Sequence, residues 1–240
     1  MAAASLRHCW RGFLQNSANG AVSAVRSKTH EGVQQKSAVQ YISMPDHPNL
    51  AYRRVKGKSP GVVFLPGYGG VLQVIRSCLP EILVGSSMGG WLMLLAAIAR
   101  PEKTKALVGI STAADHFVTA FKTLPIEVRK ECEDKGVWTI PTKSNEEGMY
   151  TLSMDFLREA ENHCILQSPI PITCPVRLIH GLKDEDVPWH ISMQVAERVL
   201  SPDVDIILRR HGQHRMAEKD DIKLIVYTSD DLIDKLTTMV

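Results

Sequence analysis

The segment Gly85-Ser86-Ser87-Met88-Gly89 constrains this chain more than any other. It follows a short apolar run at Glu81–Gly85 and opens a stretch of small and apolar residues, from about Gly89 to Ala99, that stops before Pro101. A glycine-flanked serine between a strand and a helix predicts a sharp turn. Such a turn strains the central serine, exposes its hydroxyl, and needs glycines where neighbouring backbone passes close. The uncharged stretch from Ile82 to Ala99 also approaches the length of a membrane span. Its Gly-Ser-Ser-Met-Gly-Gly centre would set polar groups and flexible backbone in mid-bilayer. A buried strand, turn and helix account for it better, and no membrane span is expected.

Four further short apolar runs occupy Gly61–Leu65, Ala106–Ile110, Val176–His180 and Val204–Leu208. Runs of this kind suit parallel strands buried on both faces. Helical apolar spacing marks Met193–Leu200 and Ile222–Met239. Ser37–Met44 and Asn49–Val55 read as strands flanking the turn Pro45-Asp46-His47-Pro48. The alternation predicts an α/β domain with a mostly parallel sheet. Thr112–Cys174 interrupts it, with helical pieces at Pro125–Lys135 and Phe156–His163 among Trp138, Pro141, Pro169 and Pro171. We read this as an insertion capping the carboxyl ends of the strands, where ligands bind in such sheets.

A length of 240 residues suits one domain plus a tail. A formal charge of +2, without a run of Lys or Arg, argues against a nucleic-acid partner. The five cysteines form no Cys-x-x-Cys pair, which argues against a disulfide framework or a zinc site. Neither G-x-G-x-x-G nor G-x-x-x-x-G-K-[ST] occurs. No cofactor and no metal are expected. The oligomeric state is not readable from the sequence.

If Ser87 is a nucleophile, it needs a base, and the base needs an orienting acid, in the chain order Ser, Asp or Glu, His. Asp184 lies four residues past the run Val176–His180 and is the preferred acid. Asp186 and Asp115 are its rivals. His211 and His214 share the loop after Val204–Leu208. His214 is the preferred base, because it stands nearest the last helix, and His211 reads as a solvent or structural histidine. His180 closes a buried run and reads as satisfying a loop. Two backbone N–H groups must hold the oxyanion. Met88, after the nucleophile, supplies one, and Tyr68 in Pro66-Gly67-Tyr68-Gly69-Gly70 the other.

Residues 1–30 contain Arg7, Arg11, Arg26 and Lys28 and no acid, with Leu6, Trp10, Phe13 and Leu14 at helical spacing. That is the pattern of a mitochondrial transit peptide, against the plainer reading of a disordered basic tail. The expected organisation is therefore a transit peptide or tail over residues 1–35 and one catalytic domain over 36–240, with a cap at about 112–174.

The chain resembles the α/β-hydrolase family, in particular its mitochondrial members. The resemblance rests on Pro48-Asn49-Leu50-Ala51-Tyr52, Leu83-Val84-Gly85-Ser86-Ser87-Met88-Gly89-Gly90-Trp91-Leu92-Met93-Leu94, Gly181-Leu182-Lys183-Asp184, Val187-Pro188-Trp189-His190, and Val226-Tyr227-Thr228 through Ile233-Asp234-Lys235-Leu236. It implies an α/β-hydrolase fold with helices on both faces of the sheet. It also implies a serine esterase or thioesterase that removes S-palmitoyl groups from proteins and cleaves acyl glucuronides. The partners would be small acyl esters or S-acylated proteins. The family's Ser, Asp and His fall on Ser87, Asp184 and His214.

One departure is large. Only 16 residues separate Gly70 from Ser87, where the family has a helix, a strand and a second helix. One inner strand and its flanking helices are then expected to be missing. Val71–Cys78 would be a single short crossover helix, and the strands Asn49–Val55 and Gly61–Leu65 could pair directly. A second function class follows, a truncated and inactive variant acting at most as a binding protein. A third is a haloperoxidase-like or C–C hydrolase, since fold does not fix reaction.

Overall fold

Strands rich in Val, Ile and Leu cannot face water on either side, so helices must cover both faces of the sheet they form. The structure is a computed structural model describing residues 39–44, 47–56, 61–67, 72–76, 81–144 and 147–238. In chain order it contains β1 (Val39–Met44), β2 (His47–Lys56), β3 (Gly61–Leu65), β4 (Leu72–Arg76) and β5 (Glu81–Ser86). Next come α1 (Met88–Ala99), β6 (Thr104–Ile110), α2 (His116–Thr123), α3 (Ile126–Lys135), β7 (Val137–Pro141), β8 (Met149–Ser153) and α4 (Met154–Glu161). The chain then forms β9 (Val176–Gly181), α5 (His190–Arg198), β10 (Val204–Arg209) and α6 (Lys219–Thr238). Eight strands make one sheet in the order β1-β2-β4-β3-β5-β6-β9-β10, and β7 pairs with β8 separately.

From β3 to β10 the pairing across the centre is parallel. The register aligns Val63, Leu83, Leu107, Val176 and Val204 in one row across the sheet. That row packs into the core shared with α1 and α5, including Trp91, Met93, Leu94, Ile191 and Val195. The alternate residues Val62, Phe64, Ile82, Val84, Ala106 and Val108 face the other way, onto Ile225, Leu232 and Ile233 of α6. Successive strand residues thus feed two cores, as the unbroken apolar runs require. The stretch Ile82–Ala99 divides into β5, the turn at Ser87 and α1. Among the described residues, no helix is long and apolar enough to cross a membrane.

The connection between β3 and β5 overturns part of the expectation. Leu72–Arg76 is a strand, not a helix, and it lies between β2 and β3, which therefore do not pair directly. It runs parallel to β2 and antiparallel to β3. The reversal has a simple cause. Two successive parallel connections would each need a crossover of about a dozen residues. The 16 residues between Gly70 and Ser87 cannot supply both, but they suffice for a chain that runs up, down and up. The inner position is filled, by a strand of the opposite sense.

Residues between β6 and β9 fold as α2, α3, the β7–β8 hairpin and α4. The hairpin departs from the sequence reading, which sets Trp138 and Pro141 between two helical pieces and assigns no strand there. Trp138 pairs across it with Leu152, and both are buried. The Trp138 ring meets Phe121 of α2 at 5.5 Å between centroids. A two-stranded hairpin is marginal by itself, so this packing is what holds it.

Candidate active site

The turn from β5 into α1 places Ser87 at φ 55° and ψ −122°, a conformation costly for any side chain larger than glycine. The fold holds it there with hydrogen bonds. Ser87 N–H donates to Ile110 O at 2.9 Å, and Ser87 O accepts from Gly90 N–H and Ala113 N–H at 2.9 and 3.0 Å. Gly85 and Gly89 are demanded by close approach. A Cβ on Gly89 would overlap the carbonyl oxygens of Leu65 and Pro66, and one on Gly85 would overlap the backbone of Gly89.

Three residues far apart in sequence meet at this turn. His214, in the loop after β10, lies with Nε2 2.9 Å from Ser87 Oγ. Its Nδ1 lies 3.0 and 2.9 Å from the two carboxylate oxygens of Asp184, in the loop after β9. A carboxylate only accepts, so Nδ1 carries the hydrogen, and Nε2 is left as an acceptor for the Ser87 hydroxyl. Asp184 Oδ1 also accepts from the N–H groups of Asp186 and Val187, at 3.0 and 2.8 Å. The Asp184 side chain is fully buried, and burial alone would raise its carboxyl. Hydrogen bonds from His180, His214 and the Val187 N–H outweigh that and hold it well below the usual carboxylate range.

The rival residues lie elsewhere. Asp186 accepts the hydroxyls of Thr142, at 2.7 Å, and of Ser144. With the ion pair Lys143–Glu185 at 2.7 Å, these bonds tie the turn of the β7–β8 hairpin to the loop carrying Asp184. His211 is exposed. Asp115 is buried at φ 57° and accepts from the backbone N–H groups of Ile165 and Leu166 at 2.9 and 2.7 Å. Burial pushes its carboxyl up against the pull of those two N–H groups. Asp115→Ala would strand one buried and one half-buried donor, so it should lower unfolding free energy by about 2 kcal/mol in urea titration.

Two further histidines belong to the surroundings of the site, and neither was selected from the sequence. His180 reaches Asp184 Oδ2 at 3.1 Å from the penultimate residue of β9. The available signal was its spacing, four residues before Asp184. His116 starts α2, and burial holds its imidazole below the ordinary histidine value, against a hydrogen bond to the Asp186 backbone and the charge of Asp184. Nothing in the sequence marked it.

Met88 is the first residue of α1, an end whose leading N–H groups have no partner within the helix. The loop after β3 passes against the serine, and a Cβ on Gly67 would stand 3.2 Å from Ser87 Cβ. Tyr68, the other expected oxyanion donor, lies outside the described residues, as do residues 1–38.

A mostly parallel sheet with helices on both faces, and a strained serine on a strand-to-helix turn, define the α/β-hydrolase class of serine hydrolases. The sequence profile of the prolyl oligopeptidase family matches residues 82–229. Palmitoyl-protein thioesterase ABHD10, mitochondrial, from Homo sapiens is 50% identical over 255 aligned positions, covering 86% of this chain and 83% of the relative. Those positions outnumber the 240 residues here, so the relative carries internal sequence that this chain lacks. The structure of alpha/beta hydrolase domain-containing protein 10 from mouse superposes with a TM-score of 0.75 at 47% identity, covering 83% of this chain and all of that one. A hydrolase structure from Agrobacterium vitis, with a TM-score of 0.67 at 18% identity and covering 82% of this chain and 98% of that one, shares the fold. The chain belongs to the α/β-hydrolases, in the family of palmitoyl-protein thioesterase ABHD10.

Proposed function

We propose that this serine hydrolase cleaves long-chain acyl thioesters, with Ser87 as nucleophile, His214 as general base and Asp184 as its orienting acid. The observation that carries the reading is the His214 ring, 2.9 Å from Ser87 Oγ on one side and 2.9 Å from Asp184 Oδ2 on the other. Ser87 Oγ attacks the thioester carbonyl while its proton passes to His214 Nε2. The N–H of Met88, and by resemblance that of Tyr68, receives the developing oxyanion. The tetrahedral intermediate collapses with cleavage of the C–S bond, and His214 returns the proton to the leaving thiolate. Water, deprotonated by His214, then attacks the acyl-enzyme and releases the fatty acid and free Ser87.

The acyl class is supported by relatives named palmitoyl-protein thioesterases at 47–50% identity. Residues 112–174 are proposed as a cap over the acyl site, since they leave β6 at the carboxyl ends of the strands before returning to the start of β9. The protein is mitochondrial, as its relatives are named, and residues 1–30 are the segment proposed to carry that address.

A fluorophosphonate probe tests the chemistry. The full chain should be labelled, and Ser87→Ala should lose both labelling and hydrolysis of an S-palmitoylated peptide. A folded, unlabelled wild-type chain would sink the proposal in favour of an inactive variant. Cleavage of an oxygen ester but not of the thioester would remove the substrate class alone.

A further inference from the structure

One oxygen of Asp184 is shared by two imidazoles. Oδ2 lies 2.9 Å from His214 Nδ1 and 3.1 Å from His180 Nε2. His180 is fully buried at the end of β9, and its Nε2 also lies 3.0 Å from the carbonyl oxygen of Val187. A carboxylate and a carbonyl are both acceptors, so Nε2 carries the hydrogen and divides it between them. Nδ1 of His180 is then a lone pair, and it faces Ser192 Oγ at 2.7 Å. Ser192, in the first turn of α5, is likewise fully buried, and its hydroxyl donates to that lone pair. A chain of hydrogen bonds thus runs from Ser192 through His180 to Asp184, on the side of the carboxylate that also meets His214.

We propose that His180 is a positioning residue for the reaction: its Nε2–H, polarised by Ser192, fixes Asp184 Oδ2 and competes with His214 for the carboxylate's charge. The proposal rests on the reading of Ser87, His214 and Asp184 as the reacting groups. It extends that reading because each donor to the carboxylate draws on its charge and so lowers the basicity that it lends His214. The other groups around the pair leave Oδ2 to the two imidazoles. The N–H groups of Asp186 and Val187 hold Oδ1. The Asp186 carboxylate is taken by Thr142 and Ser144. His116, from the start of α2, bonds the Asp186 backbone while its charge interacts with Asp184, His214 and His190. Tyr150 of β8 interacts with Asp186 and Arg215. Among the described residues, His180 and His214 are the two donors to Oδ2.

A residue that merely braced the loop through Val187 would alter stability without touching the balance between His214 and Asp184. The test therefore reads that balance in the full chain, on His180→Leu, His180→Gln and Ser192→Ala. The first readout is the acid limb of kcat/KM on a short p-nitrophenyl ester. The second is the proton resonance of His214 Nδ1–H, recorded without substrate. His180→Leu removes the competing donor, so the limb should move to higher pH by about half a unit, and the resonance should move downfield. Its kcat/KM should fall about tenfold through looser positioning. His180→Gln offers an amide N–H near the Nε2 position and should bring limb and resonance back toward the wild type. Ser192→Ala should move both in the same direction as His180→Leu, by less.

A folded His180→Leu chain with limb and resonance unmoved would overturn the proposal. If that variant does not fold, unmoved values in Ser192→Ala overturn it instead. If wild-type hydrolysis proves independent of Ser87, the reading of the reacting groups fails, while the resonance still decides whether His180 competes for Asp184.

Discussion

His214→Ala is expected to lower kcat on a short p-nitrophenyl ester by about four orders of magnitude, with His211→Ala within about twofold of the wild type. The difference comes from position, since both histidines stand in the same loop. His214 is buried, and its two nitrogens are committed to Ser87 and Asp184. His211 is exposed. Without the imidazole, Ser87 has no acceptor for its proton, and the water that must release the acyl-enzyme has no base. Asp184→Asn should cost nearly as much, about 10⁴-fold in kcat, because an amide N–H facing Nδ1 favours the wrong tautomer. Steady-state kinetics on the three variants, beside melting curves to show that each folds, checks the assignment. Equal losses at His211 and His214 would reverse it.

Gly89→Ala should cost more stability than any surface change, about 4 kcal/mol or more, and leave little folded protein. The added methyl would overlap the carbonyl oxygens of Leu65 and Pro66, which end β3 and begin the loop beside Ser87. Backbone cannot yield as a flexible side chain can. Either α1 must lift away from the sheet or β3 must leave its register with β5. Each route opens a core in which Trp91, Met93 and Leu94 are buried. Gly136 is the control. It ends α3 at φ 72°, and a Cβ there would meet nothing within 4 Å. Gly136→Ala should cost only about 1 kcal/mol, from the left-handed conformation alone. Urea unfolding of both variants decides, and similar losses would show that close approach at Gly89 is not the constraint.

Much of the architecture is legible because its causes are local. β3 spans Gly61–Leu65, the apolar run read from the sequence, and β9 and β10 each extend their runs by a single residue. Runs buried on both faces announce themselves by composition, as β9 does, whereas β10, also read as such a run, is an edge strand with Asp205 and Leu208 exposed. The strained turn at Ser87 is marked by its flanking glycines. Other features depend on what packs against them. Leu72–Arg76 has no distinctive pattern, and it becomes an antiparallel strand because the short connection leaves no room for crossovers. The β7–β8 hairpin is held by Trp138 against Phe121. The site divides in the same way. Serine, acid and base types can be placed in order along the chain. That His214 meets Ser87 across 127 residues, and that His180 shares the oxygen it needs, is decided by the sheet, whose register brings the ends of β5, β9 and β10 to one edge. Local sequence sets each strand and turn through backbone preference and burial, whereas the distance between two side chains on different loops is set by every layer packed between them.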